Sequence, residues 1–272
     1  MQTTRRKFIK TSLWITLCAA LADAFILEKY FIETNEYFIG KATNDTISFK
    51  VLQISDLHLN DINYPIKQII KKINILKPDL IVFTGDSIDK SENISLLNDF
   101  LKQIDKDIKK VAITGNWEYW GKVNISELKK IYSDYSCSLL INETMQMTLH
   151  GKTISITGVD DLLGGQANIE LALKEYQKSD HHIILNHCPE YNEVISQKLN
   201  KEISVDFILS GHTHGGQINI LGITPFLPNG SGRFVKGWYN GMQPKVYVSK
   251  GIGTSIFPVR FGARAEIAVF NF

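Results

Sequence analysis

Two rhythms of apolar and polar residues run along this chain. Short apolar runs stop abruptly at a polar side chain or a glycine: 47–54, 80–84, 111–114, 183–185 and 205–209. Runs of this length, rich in Ile, Val and Phe, predict buried strands. Between them, apolar residues recur at helical spacing. Ile66, Ile69, Ile70, Ile73 and Leu76 follow Tyr64-Pro65 and predict a helix ending at Lys77-Pro78-Asp79. Leu96, Leu97, Phe100, Leu101 and Ile104 predict a second over 91–108, and a short third covers 125–132. Further strands are expected over 31–39, 138–141, 144–149, 153–159 and 266–270, with helices over 169–176 and 190–199 and a turn at Asn44-Asp45. Alternation, then adjoining strands, then alternation again predicts one α/β domain over 29–272.

The first 28 residues read differently. Arg5, Arg6, Lys7 and Lys10 precede an apolar stretch over 13–27 that contains Asp23. That stretch is shorter than the roughly 20 residues of a spanning helix and fits the apolar region of an export signal. Thr4-Arg5-Arg6-Lys7-Phe8-Ile9-Lys10 resembles a twin-arginine signal, which implies a bacterial protein exported folded. Ala22-Asp23-Ala24 has the form of a cleavage site; left uncut, the segment is an anchor in the cytoplasmic membrane.

Composition narrows the function classes. Of 272 residues, 44% are hydrophobic and 21% charged, ordinary for a globular protein. A formal net charge of +2 without a dense basic stripe argues against a nucleic-acid binder. Three cysteines without a C-x-x-C pair provide no disulfide framework or structural zinc site. Cys188 reads as a small buried residue, not a nucleophile.

The candidate chemistry lies where the apolar runs stop. The first leads to Asp56 and His58, the second to Asp86, the third to Gly115-Asn116, the fourth to His187, and the fifth to Gly211-His212-Thr213-His214-Gly215-Gly216. Open α/β sheets place ligands at the carboxyl ends of their strands. Mixed carboxylate, amide and imidazole donors suit manganese, iron or zinc. A His-x-His pair alone is equally a satisfied polar pair; five such strand ends in order are not.

The set resembles the calcineurin-like metallophosphoesterases, whose motifs are D-x-H, G-D, G-N, a lone His and G-H-x-H. The resemblance covers Asp56 to His214, and the tail is similar to a membrane-associated, twin-arginine-exported branch. It implies a four-layer αββα sandwich of two mixed sheets and two divalent ions. By resemblance Asp86 bridges them; Asp56, His58 and His214 complete one shell, and Asn116, His187 and His212 the other. Asp86, Asn116 and His212 are the catalytic candidates.

One position departs from the pattern. Many members carry His after Gly-Asn; here it is Trp117, and indole is no general acid. A phosphate leaving group tolerates that loss better than an alkoxide. Glu118 is expected to brace the loop. The Gly-, Pro- and aromatic-rich stretch 222–241 reads either as a lip for a lipid substrate or as a loop packed on its own core. Trp117, Arg233 and Arg260 are candidate substrate contacts, with a structural ion pair the alternative for Arg260.

The expected activity is hydrolysis of a phosphodiester or pyrophosphate by a membrane-associated or exported enzyme. The sharper alternative is cleavage of UDP-2,3-diacylglucosamine to lipid X and UMP, with an uncut anchor, the domain on the cytoplasmic side and the arginines as a positive-inside flank. A phosphoprotein phosphatase and a silent lipid- or partner-binding module are the remaining readings.

Overall fold

A computed structural model describes residues 4–40, 47–200, 202–220 and 222–272. The Asn44-Asp45 turn lies outside them. In chain order the strands are β1 (Glu33–Phe38), β2 (Lys50–Ile54), β3 (Leu80–Thr84), β4 (Lys109–Ile113), β5 (Cys137–Leu139), β6 (Glu143–Leu149), β7 (Lys152–Gly158), β8 (His181–Leu185), β9 (Phe207–Ser210), β10 (Gly237–Tyr239), β11 (Lys245–Val248) and β12 (Glu266–Asn271). They form two six-stranded mixed sheets, ordered β1-β12-β2-β3-β4-β5 and β10-β11-β9-β8-β7-β6.

The sheets pack face to face through Val51, Val82, Val111, Ile156, Phe207 and Phe270. Helices Tyr64–Leu76, Ile94–Leu101 and Ile125–Asp134 cover the first sheet through a second cluster including Ile69, Ile73, Phe100 and Leu128. Ile169–Ala172 and Asn192–Lys198 cover the other. The architecture is the expected four-layer αββα sandwich. It explains the apolar run of β3, which is buried at all five positions, because a parallel strand inside two covered faces has no solvent side.

The edges of the predicted helices moved. The helix expected over 91–108 is a 3-10 turn and then Ile94–Leu101. Beyond Leu101 the amides of Gln103 and Ile104 bond three residues back, to Phe100 and Leu101, and Asp105 caps the amide of Asp107. Ile104 and Ile108 stay buried, so the apolar spacing outlasts the helix. The helix expected over 169–176 stops at Ala172 for a similar reason: Lys174 and Tyr176 bond three residues back.

The amino-terminal segment is longer than its apolar run suggests. Arg5–Ala22 is α-helical and continues as a π-helical turn over Asp23–Leu27 and a last turn over Glu28–Tyr30. Arg5–Leu27, at 23 residues, is long and apolar enough to cross a bilayer by length and composition. Its far end is docked: Arg260 N–H donates to Ala24 O at 3.0 Å, and the amides of Gly262 and Ala263 donate to the Glu28 carboxylate at 2.8 Å each.

Candidate metal centre

Loops after β2, β3, β4, β8 and β9 converge at one end of both sheets, and they stay hydrogen-bonded beyond the strands. Asp56 N–H donates to Gly85 O at 3.1 Å, His58 N–H to Asp86 O at 3.0 Å, and Gly211 N–H to His187 O at 3.1 Å. The turns are tight enough to force Asp56, His58, Asp86, His212 and His214 to positive φ, between 45° and 71°. Non-glycine residues rarely sit there, and such strain clusters at functional sites. Neighbouring glycines make the approach sterically open. A Cβ on Gly85 would meet His187 Nδ1 at 2.5 Å, and one on Gly211 would meet Asp56 Oδ2 at 2.5 Å.

All seven ligand-type side chains predicted from the sequence meet here, each no more than 4% exposed. His58 Nε2 lies 3.1 Å from His214 Nε2, and His214 Nε2 lies 3.6 Å from Asp56 Oδ1. On the other side, Asn116 Oδ1 lies 2.9 Å from His212 Nδ1 and 3.2 Å from His187 Nε2. Asp86 Oδ2 faces both groups, 3.8 Å from His58 Nε2 and 3.2 Å from His187 Nε2.

The outer hydrogen bonds decide which ring nitrogens are free. His187 Nδ1 donates to Thr84 O at 2.7 Å, His212 Nε2 to Asn229 O at 2.6 Å, and His58 Nδ1 to Asp89 Oδ1. In their neutral form these rings turn bare lone pairs inward. His187 Nε2, His212 Nδ1 and Asn116 Oδ1 lie within 3.3 Å of one another, acceptors facing acceptors in a buried space. That donor set fits a divalent cation. The clusters Asp56–His58–His214 and Asp56–Asp86–His187 have the spacing to hold one.

The buried charges at the centre shift one another's ionisation. Burial favours the neutral ring of His187, but Asp86 and Asp56 outweigh it and hold its pKa well above the usual imidazole range. Burial likewise opposes ionisation of Asp86, yet His187, His58 and His212 hold its carboxyl below the usual range. Burial, with Asp86 beside it, pushes Glu118 up to about 7. Glu118 accepts from the amides of Asp86, Ser87 and Gly115 at 3.1, 2.6 and 2.8 Å, so it braces the loop as its position suggested. Asp160 and Asp161 are loop caps too, on Gln166, Leu163 and Gly164. Burial raises the Cys188 thiol, which donates to Asp161 Oδ2.

Two predicted substrate contacts are not at the site. Arg260 is fully buried and donates to the carbonyls of Gly253, Lys250 and Ala263 at 3.0, 2.9 and 2.8 Å. Its Nη2 lies 3.3 Å from His214 Nδ1, so it stands behind a ligand, away from substrate. Burial brings its pKa down to about 10. Arg233 is exposed and bonds Glu193 at 3.1 Å. Trp117 does face the site: its ring stands edge-on to His58 at 6.0 Å and packs on Trp120 at 5.7 Å. Together these tryptophans wall a cavity of about 400 Å³ whose floor is Asp86, Asn116, His212 and His214 and whose other wall is Phe226, Leu227, Ile256 and Phe257. The stretch 222–241 thus divides: Phe226 and Leu227 form a lip, whereas Phe234 is fully buried and Trp238 packs on Tyr37, Phe207 and Phe270.

Sequence reasoning missed Asp89, the Asn229 carbonyl and the apolar wall at Ile256-Phe257. Asp89 follows Gly85-Asp86 in a loop without periodicity, and a backbone carbonyl leaves no trace in side-chain identity. His182 is 2% exposed, bonds Thr157 Oγ1 at 2.8 Å and stacks on Tyr176.

Comparison with known proteins agrees with this geometry. The calcineurin-like phosphoesterase family profile matches residues 49–216. An uncharacterized metallophosphoesterase of Bacillus subtilis, YkuE, is 31% identical across 98% of this chain and 96% of its own length. The phosphodiesterase YaeI of Escherichia coli is 25% identical across 98% of both chains. A Bos taurus transmembrane protein with a metallophosphoesterase domain is 29% identical over 81% of this chain and 52% of that protein. The chain belongs to the calcineurin-like phosphoesterase family and is a metal-dependent phosphoester hydrolase.

Proposed function

We propose that this chain hydrolyses a phosphodiester or pyrophosphate bond of an amphiphilic envelope substrate, with two divalent ions (manganese, iron or zinc). Asp56, His58 and His214 would hold one and Asn116, His187 and His212 the other, with Asp86 placed between the two groups. Bound there, such ions supply Lewis-acid polarisation of phosphoryl oxygens and lower the pKa of water toward neutrality. Asp89, Thr84 and Asn229 keep His58, His187 and His212 in the tautomers that point a lone pair inward. Trp117 and Phe226 exclude water beside the centre and accept apolar substrate.

The cavity lining carries this reading. Outside the ligand cluster it contains no Lys, Arg, Glu, Tyr or Cys among the described residues. With no side-chain acid in the lining outside the ligand cluster, a weakly basic leaving group is favoured, as phosphate is and an alkoxide is not. Trp117→His supplies the test. With Mn²⁺, wild type should cleave a diphosphate-linked amphiphile and leave a dialkyl phosphodiester nearly untouched. The variant should raise the dialkyl rate by about 100-fold, the usual size of general-acid catalysis. Equal wild-type rates on both substrates would refute the leaving-group argument.

The amino-terminal helix is best read as a retained anchor. Cleavage after Ala24 would cut through the turn that Arg260 and Ala263 hold. The positive-inside rule keeps Arg5, Arg6, Lys7 and Lys10 in the cytoplasm, so a single span carries the domain across the membrane, as the resemblance to a twin-arginine signal also suggests. On this reading, one spanning helix does not leave both the arginines and the domain inside, so the cytoplasmic form of the UDP-2,3-diacylglucosamine reading is the less favoured one. The apolar cavity and Trp117 still favour a substrate of that chemistry, a pyrophosphate beside acyl chains, presented on the outer side. The seven intact ligand positions oppose a silent module.

A further inference from the structure

We infer that the mouth of the cavity is a bilayer-contact surface, pressed onto the membrane by the amino-terminal helix; this rests on the anchored reading above. Three large apolar side chains of the cavity lining face solvent, Phe226 at 82% exposed, Ile256 at 84% and Phe257 at 65%, and Ile223, three residues before Phe226, is 71% exposed. Isolated exposed apolar residues need no explanation, but a group of them rimming a charged catalytic centre does.

Hydrogen bonds make the rim and the helix end one unit. Gln217 joins the two rim loops, donating through Nε2 to Phe257 O at 2.8 Å and accepting from Ser255 N–H at 3.0 Å. Asn219 N–H donates to Phe261 O at 2.6 Å, and Phe261 N–H to Gln217 O at 2.8 Å. The next residues grip the helix: Arg260 on Ala24 O, and Gly262 and Ala263 on the Glu28 carboxylate. The loop that presents Ile256 and Phe257 is therefore fastened to the last turns of a 23-residue helix. At about 1.5 Å per residue, that helix is about 35 Å long, against a hydrocarbon core of about 30 Å. Its docked end must then lie at the membrane surface, and the rim with it.

A bilayer is the occupant this arrangement selects. The loop that carries Ile256 and Phe257 runs on into Arg260, Gly262 and Ala263, which hold Ala24 and Glu28, so the rim is tied to the point where the helix would leave the lipid. A substrate held by acyl chains would then reach Asp86 and Asn116 without leaving the membrane.

The full chain carrying Cys18→Ser is reconstituted in phosphatidylethanolamine–phosphatidylglycerol vesicles, with a nitroxide on Ile223→Cys, Ile256→Cys or Lys152→Cys. Lys152 starts β7, at the opposite end of the strand from the site, and is exposed; Cys137 and Cys188 are buried and do not label. Flotation reports the anchor, and the ratio of oxygen to nickel-chelate collisions reports depth. The expected result is flotation with a ratio several-fold higher at 223 and 256 than at 152. Flotation with water-like ratios at all three labels overturns the surface and leaves the anchor. Failure to float overturns both. Dipolar broadening at 223 and 256 that is unchanged when the vesicles are replaced by detergent would assign the rim to a second copy and also overturn the proposal.

Discussion

Asp89→Ala is the perturbation that most directly separates a metal centre from a merely polar cluster. Asp89 accepts the Nδ1 proton of His58, and His58 is 4% exposed. The pair therefore fixes the tautomer that turns Nε2 inward. A charge-assisted hydrogen bond contributes about 1.5–3 kcal/mol, and loss of such an outer partner costs metal affinity about 10–100-fold. The Asp89 side chain is 25% exposed, so solvent screens part of its charge. The lower half of that range applies: roughly 10–30-fold, or about 1.4–2 kcal/mol. Asp89→Asn keeps an acceptor but loses the charge, and should cost about half that free energy, roughly 3–5-fold. Calorimetric titration of the metal-free chain with Mn²⁺ measures both. The loss should fall on one of two binding events, because His187 and His212 have their own carbonyl partners. Unchanged affinity in Asp89→Ala, or an equal loss in both events, would refute the reasoning.

Two other perturbations follow from buried polar groups. Arg260→Met strips donors from three buried or partly buried carbonyls, Lys250, Gly253 and Ala263; at about 1 kcal/mol for each, the loss is roughly 3 kcal/mol in chemical denaturation. A changed KM at unchanged stability would instead restore Arg260 as a substrate contact. Burial lowers His182 to about 4, against about 6.5 in an unfolded chain. The unfolded state therefore binds the extra proton: the stability is present above about pH 6.5 and declines by about 3 kcal/mol as pH falls to about 4. His182→Phe should flatten that slope, read as denaturation midpoints across the window; an unaltered slope would assign it elsewhere.

The strand ends were legible because of how parallel strands are buried. β2, β3, β4, β8 and β9 are covered on both faces, so the halves of their sequences that lead to the site are mostly apolar until the chain leaves the sheet. The first polar residues then mark the site: Asp56, His58, Asp86, Asn116, His187, His212 and His214. What supports those residues was not legible. Asp89 and the carbonyls of Thr84 and Asn229 act through contacts across distant segments. Arg260 read as a substrate contact or a structural ion pair, and only the fold shows its guanidinium enclosed by carbonyls. The amino-terminal helix was underestimated because Arg5 to Lys10, polar in composition, extend the same helix as the apolar residues behind them.

The most direct measurement combines metal content with diester turnover on the full chain in detergent. Elemental analysis after Mn²⁺ loading and gel filtration is read beside hydrolysis of bis-(p-nitrophenyl) phosphate and p-nitrophenyl phosphate, for wild type and Asp86→Asn. The expected result is two ions per chain, faster cleavage of the diester, and loss of both binding and turnover in the variant. Diester cleavage that survives Asp86→Asn, or turnover by a chain holding no metal, would contradict the assignment of the seven converging side chains.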